Sequence, residues 1–319
     1  MRATLFDFPT QLKWQPIVEG GIIPSAESYL LCGMGGSALA GGLLTACDPT
    51  IALTIHRDYG LPILARGDAK VKSLVIISSF SGNTEETLDA YRVAMGNDQS
   101  VIVVTSGGEL LDRAKRGGVP YILLPDATIQ PRLAVGYFLK ALASITGAKA
   151  VGDELESLAI TLDLNNLELE AQSIASRLVG RIPLIYSSNR YAPLAYFWKI
   201  MLNETAKIPA FSNVIPEQNH NELESFDGEP LAPFTAILLT SEDDDEVRVA
   251  RRFEALSEML SRAHVPVELV PLTGATPAAR VVCSLMTASF TALALAEARG
   301  VNPSVVSMIE DFKRQIVGK

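Results

Sequence analysis

Ten consecutive residues, Ser78-Ser79-Phe80-Ser81-Gly82-Asn83-Thr84-Glu85-Glu86-Thr87, concentrate the chemistry of the first half of the chain. Four hydroxyl side chains (Ser78, Ser79, Ser81 and Thr84) fall within seven positions, beside a glycine and an asparagine. At the N-terminus of a helix such a turn offers a dianion backbone N–H groups, the positive end of the helix dipole and neutral hydroxyl donors. One or two hydroxyls would suit a plain N-capped loop; four favour a phosphate cradle. A second stretch, Gly33-Met34-Gly35-Gly36-Ser37-Ala38, has the form G-x-G-x-x-A, with Asp58 twenty residues beyond Ala38. That is the form of a dinucleotide fingerprint. The alternative is a second small-residue loop that helps enclose a sugar phosphate, with Ser37 as a donor. A nicotinamide cofactor leaves the hydroxyl-rich turn unexplained, which favours the sugar phosphate.

In the second half the dense polar stretch is 208–224, which holds His220, one of three histidines. Glu217 and Glu224 stand three before and four after it, a helical spacing that could gather a metal. With no second histidine or cysteine the set is poor for zinc, and a histidine among carboxylates and amides suits proton transfer better. His56 and His264 fall at a strand end and a helix end and read as structural. Just upstream, Leu194, Phe197, Trp198, Met201 and Leu202 form an apolar stripe at helical spacing. At about 100° per residue, Glu204 lies on the flank of that stripe, where a glutamate is usually solvated.

These residues must be positioned by an α/β framework. Apolar, β-branched runs at 29–32, 51–55, 74–79, 101–105 and 121–124 read as strands. They alternate with helical segments at 37–46, 85–95, 110–116 and 131–146, Pro131 taking a favoured first-turn position. Residues 1–28 read as an irregular or helical lead-in, and 153–179 as a helical connector. The alternation then resumes, with strands at 182–187, 234–240 and 267–271 and helices at 191–207, 246–263 and 277–299. Strands and helices alternating at short spacing predict a mostly parallel sheet with helices on both faces, twice over, with ligands outside the strands' carboxyl ends. The predicted domains are 1–150, carrying the phosphate loops, and 151–319, carrying the connector and the C-terminal helix. Their shared layout suggests a duplication.

The 319-residue length fits two domains, and 48% hydrophobic with 20% charged residues describes substantial cores. A net charge of −9 disfavours nucleic-acid binding. Cys32, Cys47 and Cys283 are widely spaced and read as reduced core thiols in a cytoplasmic setting. No signal peptide is apparent. The most apolar stretch, 281–296, is interrupted by Ser284, Thr287, Ser289 and Thr291, and reads as a buried helix rather than a membrane span.

Taken together, Gly33-Met34-Gly35-Gly36-Ser37, Ser79-Phe80-Ser81-Gly82-Asn83-Thr84, Pro131-Arg132, Asn203-Glu204 and the 211–224 stretch resemble the bifunctional phosphoglucose/phosphomannose isomerases. These enzymes are built from two sugar-isomerase (SIS) domains, each a flavodoxin-like three-layer sandwich. The resemblance runs in order from about residue 29 to the C-terminus. It implies interconversion of glucose 6-phosphate or mannose 6-phosphate with fructose 6-phosphate through a cis-enediolate, without cofactor or metal. Gly36, Ser37, Ser79, Ser81 and Thr84 match the positions that hold the 6-phosphate. Arg132 matches the arginine that stabilises the enediolate, and Glu204 the base that moves the proton between C1 and C2. His220 and Lys313 match the groups assigned to ring opening, the histidine reaching in from the partner of a homodimer. A regulator that binds sugar phosphate without catalysis, or an isomerase of a related sugar phosphate, would keep the cradle. One departure is Asn302-Pro303-Ser304, where relatives often have Asp-Pro-Thr before the final helix.

Overall fold

The computed structural model describes residues 1–62, 73–125 and 128–317. The chain forms two compact units. One comprises Phe6–Leu162 with Gly274–Val282, here the N-terminal unit. The other comprises Met1–Leu5, Asp163–Thr273 and Cys283–Lys319, here the C-terminal unit.

The chain opens with two short helices, Arg2–Phe6 (α1) and Phe8–Lys13 (α2), and a strand of two residues, Val18–Glu19 (β1). There follow Ser28–Gly33 (β2), Gly35–Cys47 (α3), Leu53–His56 (β3), Ser73–Ser79 (β4), Glu85–Gly96 (α4), Ser100–Thr105 (β5), Gly108–Gly117 (α5), Tyr121–Leu123 (β6), Val135–Thr146 (α6) and Lys149–Thr161 (α7). The sheet has the order β1-β6-β5-β4-β2-β3, parallel throughout except for β1, which runs antiparallel to β6 at the edge. The central strands are apolar at almost every position, as parallel strands covered on both faces must be. Leu30, Cys32, Val75, Ile77, Val101 and Val103 pack with Ala90, Tyr91 and Ala94 of α4 and with Leu110 and Ala114 of α5. The intervening Leu31, Leu74, Ile76, Ile102 and Val104 are buried as well, and strand alternation turns them to the opposite face. There α3 lies so close that a Cβ on Gly41 would stand 2.5 Å from Leu31 Cδ2.

From β2 the chain passes through α3 to β3 on one side; from β4 it passes through α4 to β5 on the other. The reversal leaves a crevice between the carboxyl ends of β2 and β4, the place where open α/β sheets take ligands.

The C-terminal unit contains Leu164–Leu178 (α8), Ile182–Ser188 (β7), Ala192–Glu204 (α9), Phe211–Ile215 (β8), Phe234–Thr240 (β9), Val247–Arg262 (α10) and Val267–Pro271 (β10). Pro277–Ala298 (α11), whose first turns are counted with the N-terminal unit, and Ser307–Val317 (α12) complete the chain. Its four parallel strands run β10-β9-β7-β8, the same order in space and along the chain as β5-β4-β2-β3. Leu184, Tyr186, Ala236 and Leu238 pack with Phe253, Leu256 and Leu260 of α10. Trp198 of α9 is fully buried and donates to Ser284 Oγ of α11 at 3.0 Å. Among the described residues α11 is the one helix long and apolar enough to cross a membrane, but 78% of that stretch is buried inside the protein. It is a core helix, as 281–296 was expected to be.

Three expectations change in detail. The helix expected over 131–146 is a 3₁₀ turn, Pro131–Leu133, then a break at Ala134, then α6. The single connector over 153–179 is two helices, α8 beginning where Asp163 Oδ1 accepts Asn166 N at 3.1 Å. The helix expected over 191–207 ends at Glu204, and the polar stretch after it contains a strand, β8, paired with β7 from Leu184↔Phe211 to Ser188↔Ile215.

Candidate active site

The β4–α4 turn is built around its hydroxyls. Ser79 Oγ and Thr84 Oγ1 lie 2.9 Å apart, and Ser79 Oγ also accepts from Gly82 N at 3.1 Å. Ser81 Oγ accepts from Asn83 N at 3.2 Å, and Ser37 Oγ, from the first turn of α3, accepts from Phe80 N at 3.3 Å. Three backbone N–H groups that could have met a dianion are therefore held by hydroxyl oxygens. A hydroxyl that accepts from an amide still has its own proton to donate, and one of the Ser79 and Thr84 protons is spent on the bond between them. Thr84 occupies the N-cap of α4 without bonding to that helix, its hydroxyl being engaged with Ser79 instead. Ser37 and Ser79 are buried, Thr84 is half-buried and Ser81 is exposed, so the hydroxyls descend into the crevice from its rim.

A neighbouring turn braces this one. Leu110 N donates to Gly82 O at 2.9 Å, Glu109 N to Asn83 Oδ1 at 3.0 Å, and Ser106 Oγ to Phe80 O at 2.6 Å. Gly82 has φ +67°, and a Cβ there would stand 1.8 Å from Gly107 O, so only glycine fits. The sequence reading missed this support. The signal for it was the pair Gly107-Gly108 following a strand, the same punctuation that marks the other two turns.

Arg132 is only 5% exposed, in the 3₁₀ turn after residues 128–130. The N-terminus of α3 lies against this turn, where a Cβ on Gly36 would come within 3.1 Å of Pro131 O and 3.6 Å of Arg132 Cα. Gly36, Ser37, Ser79, Thr84 and the backbone of Arg132 thus belong to one end of one sheet. Asp58, the acid of the alternative dinucleotide reading, is exposed and accepts from Tyr59 N at 2.7 Å.

The remaining candidates lie in the C-terminal unit, on three different elements. Glu204 is half-buried as the last residue of α9. Lys207, at φ +57°, returns its Nζ to Glu204 O and also to Val305 O, tying the end of α9 to the segment that enters α12. Lys313 is exposed on α12 with Glu310 Oε1 at 3.4 Å. His220 is exposed at the end of the 3₁₀ turn Glu217–His220.

The helix that would have gathered Glu217 and Glu224 around His220 does not form. Asn221, at φ −146°, separates two short 3₁₀ turns, and Asn221 Nδ2 donates to Glu217 Oε1 at 2.9 Å. Glu222 is likewise engaged: it accepts from Asn213 Nδ2 at 2.7 Å and from the hydroxyl of fully buried Tyr186. Burial, then the bond to Glu222, push the Tyr186 hydroxyl well above its ordinary pKa. His220 also borders an open cavity of about 760 Å³ with Glu224, Asp227, Glu229, Arg262 and His264. His264, read as structural, therefore shares a groove with it.

Residues 167–316 match the family model of the bacterial phospho-glucose isomerase C-terminal SIS domain. A bifunctional phosphoglucose/phosphomannose isomerase of Aquifex aeolicus is 30% identical over 97% of this chain and 96% of its own length. A D-glucosamine-6-phosphate 4-epimerase of Sulfolobus acidocaldarius is 31% identical over 73% of this chain and 77% of its own. Among solved structures, the tagatose-6-phosphate ketose/aldose isomerase of Escherichia coli superposes with a TM-score of 0.65 at 15% identity, covering 95% of this chain and 88% of that one. The fold is therefore that of the SIS phosphosugar enzymes. With near-full-length kinship to the Aquifex protein, the chain belongs to the bifunctional phosphoglucose/phosphomannose isomerase family.

Proposed function

We propose that this protein interconverts glucose 6-phosphate and fructose 6-phosphate, and mannose 6-phosphate and fructose 6-phosphate. The observation that carries the reading is the 30% identity to the Aquifex isomerase across both chains. The hydroxyl-lined turn at the β2/β4 crevice supports it, because neutral O–H donors beside a helix N-terminus suit a phosphate monoester.

In this reading the chain has two SIS domains, 1–150 with the phosphate-binding loops and 151–319 with the connector and the C-terminal helix. Gly36, Ser37, Ser79, Ser81 and Thr84 hold the 6-phosphate. His220 and Lys313 open the ring, one taking the O1 proton and the other giving a proton to the ring oxygen. Glu204 removes the proton from C2 of the open aldose and returns it to C1, while a proton passes between O1 and O2. Arg132 offsets the negative charge on the enediolate oxygen between those transfers. The scheme calls on no cofactor or metal. The exposure of His220 suits its donation to the site of a second copy in a homodimer, and reduced, buried Cys32 and Cys47 suit a cytoplasmic location.

The test is a coupled assay of fructose 6-phosphate formation from each hexose 6-phosphate; activity with neither overturns the proposal. The epimerase relative favours a second reading, action on an amino-sugar phosphate. Turnover of glucosamine 6-phosphate in place of both hexose phosphates would establish it.

A further inference from the structure

Gln11 lies on α2, in the stretch expected to be an irregular or helical lead-in, and is only 4% exposed. Its Nε2 donates to Leu133 O at 2.7 Å, and its Oε1 accepts from Gly136 N at 3.0 Å. The two bonds straddle the break at Ala134: Leu133 ends the 3₁₀ turn that carries Arg132, and Gly136 lies in the first turn of α6. The first N–H groups of a helix have no partner within it, and here a side chain from 125 residues away supplies one. A buried amide is costly unless both ends are bonded. This one spends both on the backbone immediately after Arg132.

Gly136 is shaped for the same contact. A Cβ there would stand 2.8 Å from Gln11 Cβ and 2.9 Å from Gln11 Oε1, so the glycine is what lets the glutamine approach. In front, the Arg132 turn meets the N-terminus of α3 at Gly36; behind, it meets Gln11. We propose that Gln11 is a positioning residue for Arg132: its amide sets the Pro131–Leu133 turn, and through it the guanidinium, against the reacting centre. The inference rests on the reading of Arg132 as the enediolate-stabilising cation.

The experiment compares Gln11→Met, which keeps the volume and removes both bonds, with Gln11→Glu, which keeps the acceptor for Gly136 N. Each is made alone and combined with Arg132→Ala. Isomerisation is measured with glucose 6-phosphate, and inhibition by inorganic phosphate reports the cradle. A misplacement of about 1 Å can cost roughly 10²-fold in rate. Q11M is therefore expected to lower kcat tenfold or more, with KM and phosphate inhibition within twofold, and Q11E to recover part of the loss. In the Arg132→Ala background Q11M should cost nothing further, because Gln11 then has nothing to position.

A Q11M variant that melts lower but turns over normally, or that loses the same factor with and without Arg132, overturns the inference while the reading of Arg132 stands. If Arg132→Ala turns over normally, the reading of Arg132 fails and this inference with it. Should Q11M not fold, the cycle is run with Q11E, for which an equal loss with and without Arg132 is again the overturning result.

Discussion

The two sheets reverse direction in the same way and fill the resulting crevices with opposite chemistry. Between β2 and β4 the two turns are joined by a neutral bond, Phe80 N to Ser37 Oγ, and the side chains around it are hydroxyls. Between β7 and β9 the two turns are joined by a carboxylate. Asp244, in the β9–α10 turn, accepts from Arg190 at 2.8 Å and from the Tyr191 hydroxyl at 2.5 Å, both residues belonging to the turn after β7. Ser241 Oγ also donates to Asp244 at 3.2 Å, and Ser241 N donates to Asp245 at 2.8 Å. Strand topology makes both places attractive to an anion. In the C-terminal unit one of the chain's own carboxylates lies between the turns; in the N-terminal unit neutral hydroxyls do. Fold decides where an anion can bind, and a few side chains decide whose anion it is.

If the N-terminal crevice only anchors the substrate, the base should be separable from the anchor. Glu204→Gln keeps the size of the side chain and removes its basicity. The loss of one general base is expected to lower kcat by about 10²–10⁴-fold, while inorganic phosphate inhibits at the concentration that inhibits the unmodified enzyme. Coupled assay and phosphate titration check the two halves. Near-normal turnover would remove Glu204 from the mechanism.

The anchor should break through its backbone before its side chains. Gly82→Ala places a Cβ 1.8 Å from Gly107 O at φ +67°. That forces apart the braced turns, and such displacement is expected to raise KM for hexose 6-phosphate by about 10²-fold, along with strain of about 1–3 kcal/mol. The corresponding turn after β9 contains no glycine, so Glu242→Ala, at an exposed position there, should leave KM and the melting temperature unchanged. A KM unchanged by Gly82→Ala would mean that the phosphate lies elsewhere.

Hydroxyl deletions give the next smaller effect. A hydrogen bond to a charged group contributes about 1.5–3 kcal/mol. Ser81→Ala, the exposed case, and Thr84→Val should each weaken phosphate inhibition by about tenfold, at the lower end of that range. Thr84→Val should cost slightly more, since it also removes one of the two partners of Ser79 Oγ. Titration of the single and double variants with inorganic phosphate decides it. Full additivity would show two independent donors rather than one connected set.

Much of the N-terminal crevice was legible because its signals are local. The runs Leu74-Val75-Ile76-Ile77 and Val101-Ile102-Val103-Val104 can hardly be anything but buried strands, and the hydroxyls sit in the turn that follows the first of them. What the sequence hid is held by distant partners. The 131–146 segment reads as one helix from Pro131 onward, yet it breaks at Ala134, beside backbone groups that Gln11 holds from far up the chain. Strand β8 shows no alternation, since Phe211 is exposed, Ser212, Asn213 and Val214 are half-buried and only Ile215 is buried; pairing with β7 is what defines it. Glu217 and Glu224 stand about His220 at a spacing at which a helix could have gathered a metal, and the Asn221 break between the two 3₁₀ turns rules that geometry out.

The smallest effect on catalysis, and the sharpest test of the comparison, comes from emptying the filled crevice. Asp244 has a side chain 8% exposed against 26% for Arg190, so the pair is neither fully buried nor fully screened. Asp244→Asn keeps the shape and weakens both charged bonds, at an expected cost of on the order of 1–2 kcal/mol. That corresponds to a few degrees in melting temperature at about 2–4 °C per kcal/mol. Asp244→Ala goes further and leaves Arg190, Tyr191 and Ser241 without the carboxylate. This variant should then be stabilised by millimolar inorganic phosphate beyond the stabilisation that the unmodified protein shows, while kcat and KM stay put. A fall in kcat with KM intact would overturn the comparison and locate the reason, because Tyr191 immediately precedes α9 and Glu204 ends it. The carboxylate would then be holding the helix of the base in register, and the filled crevice would be part of the catalytic machinery rather than its silent counterpart.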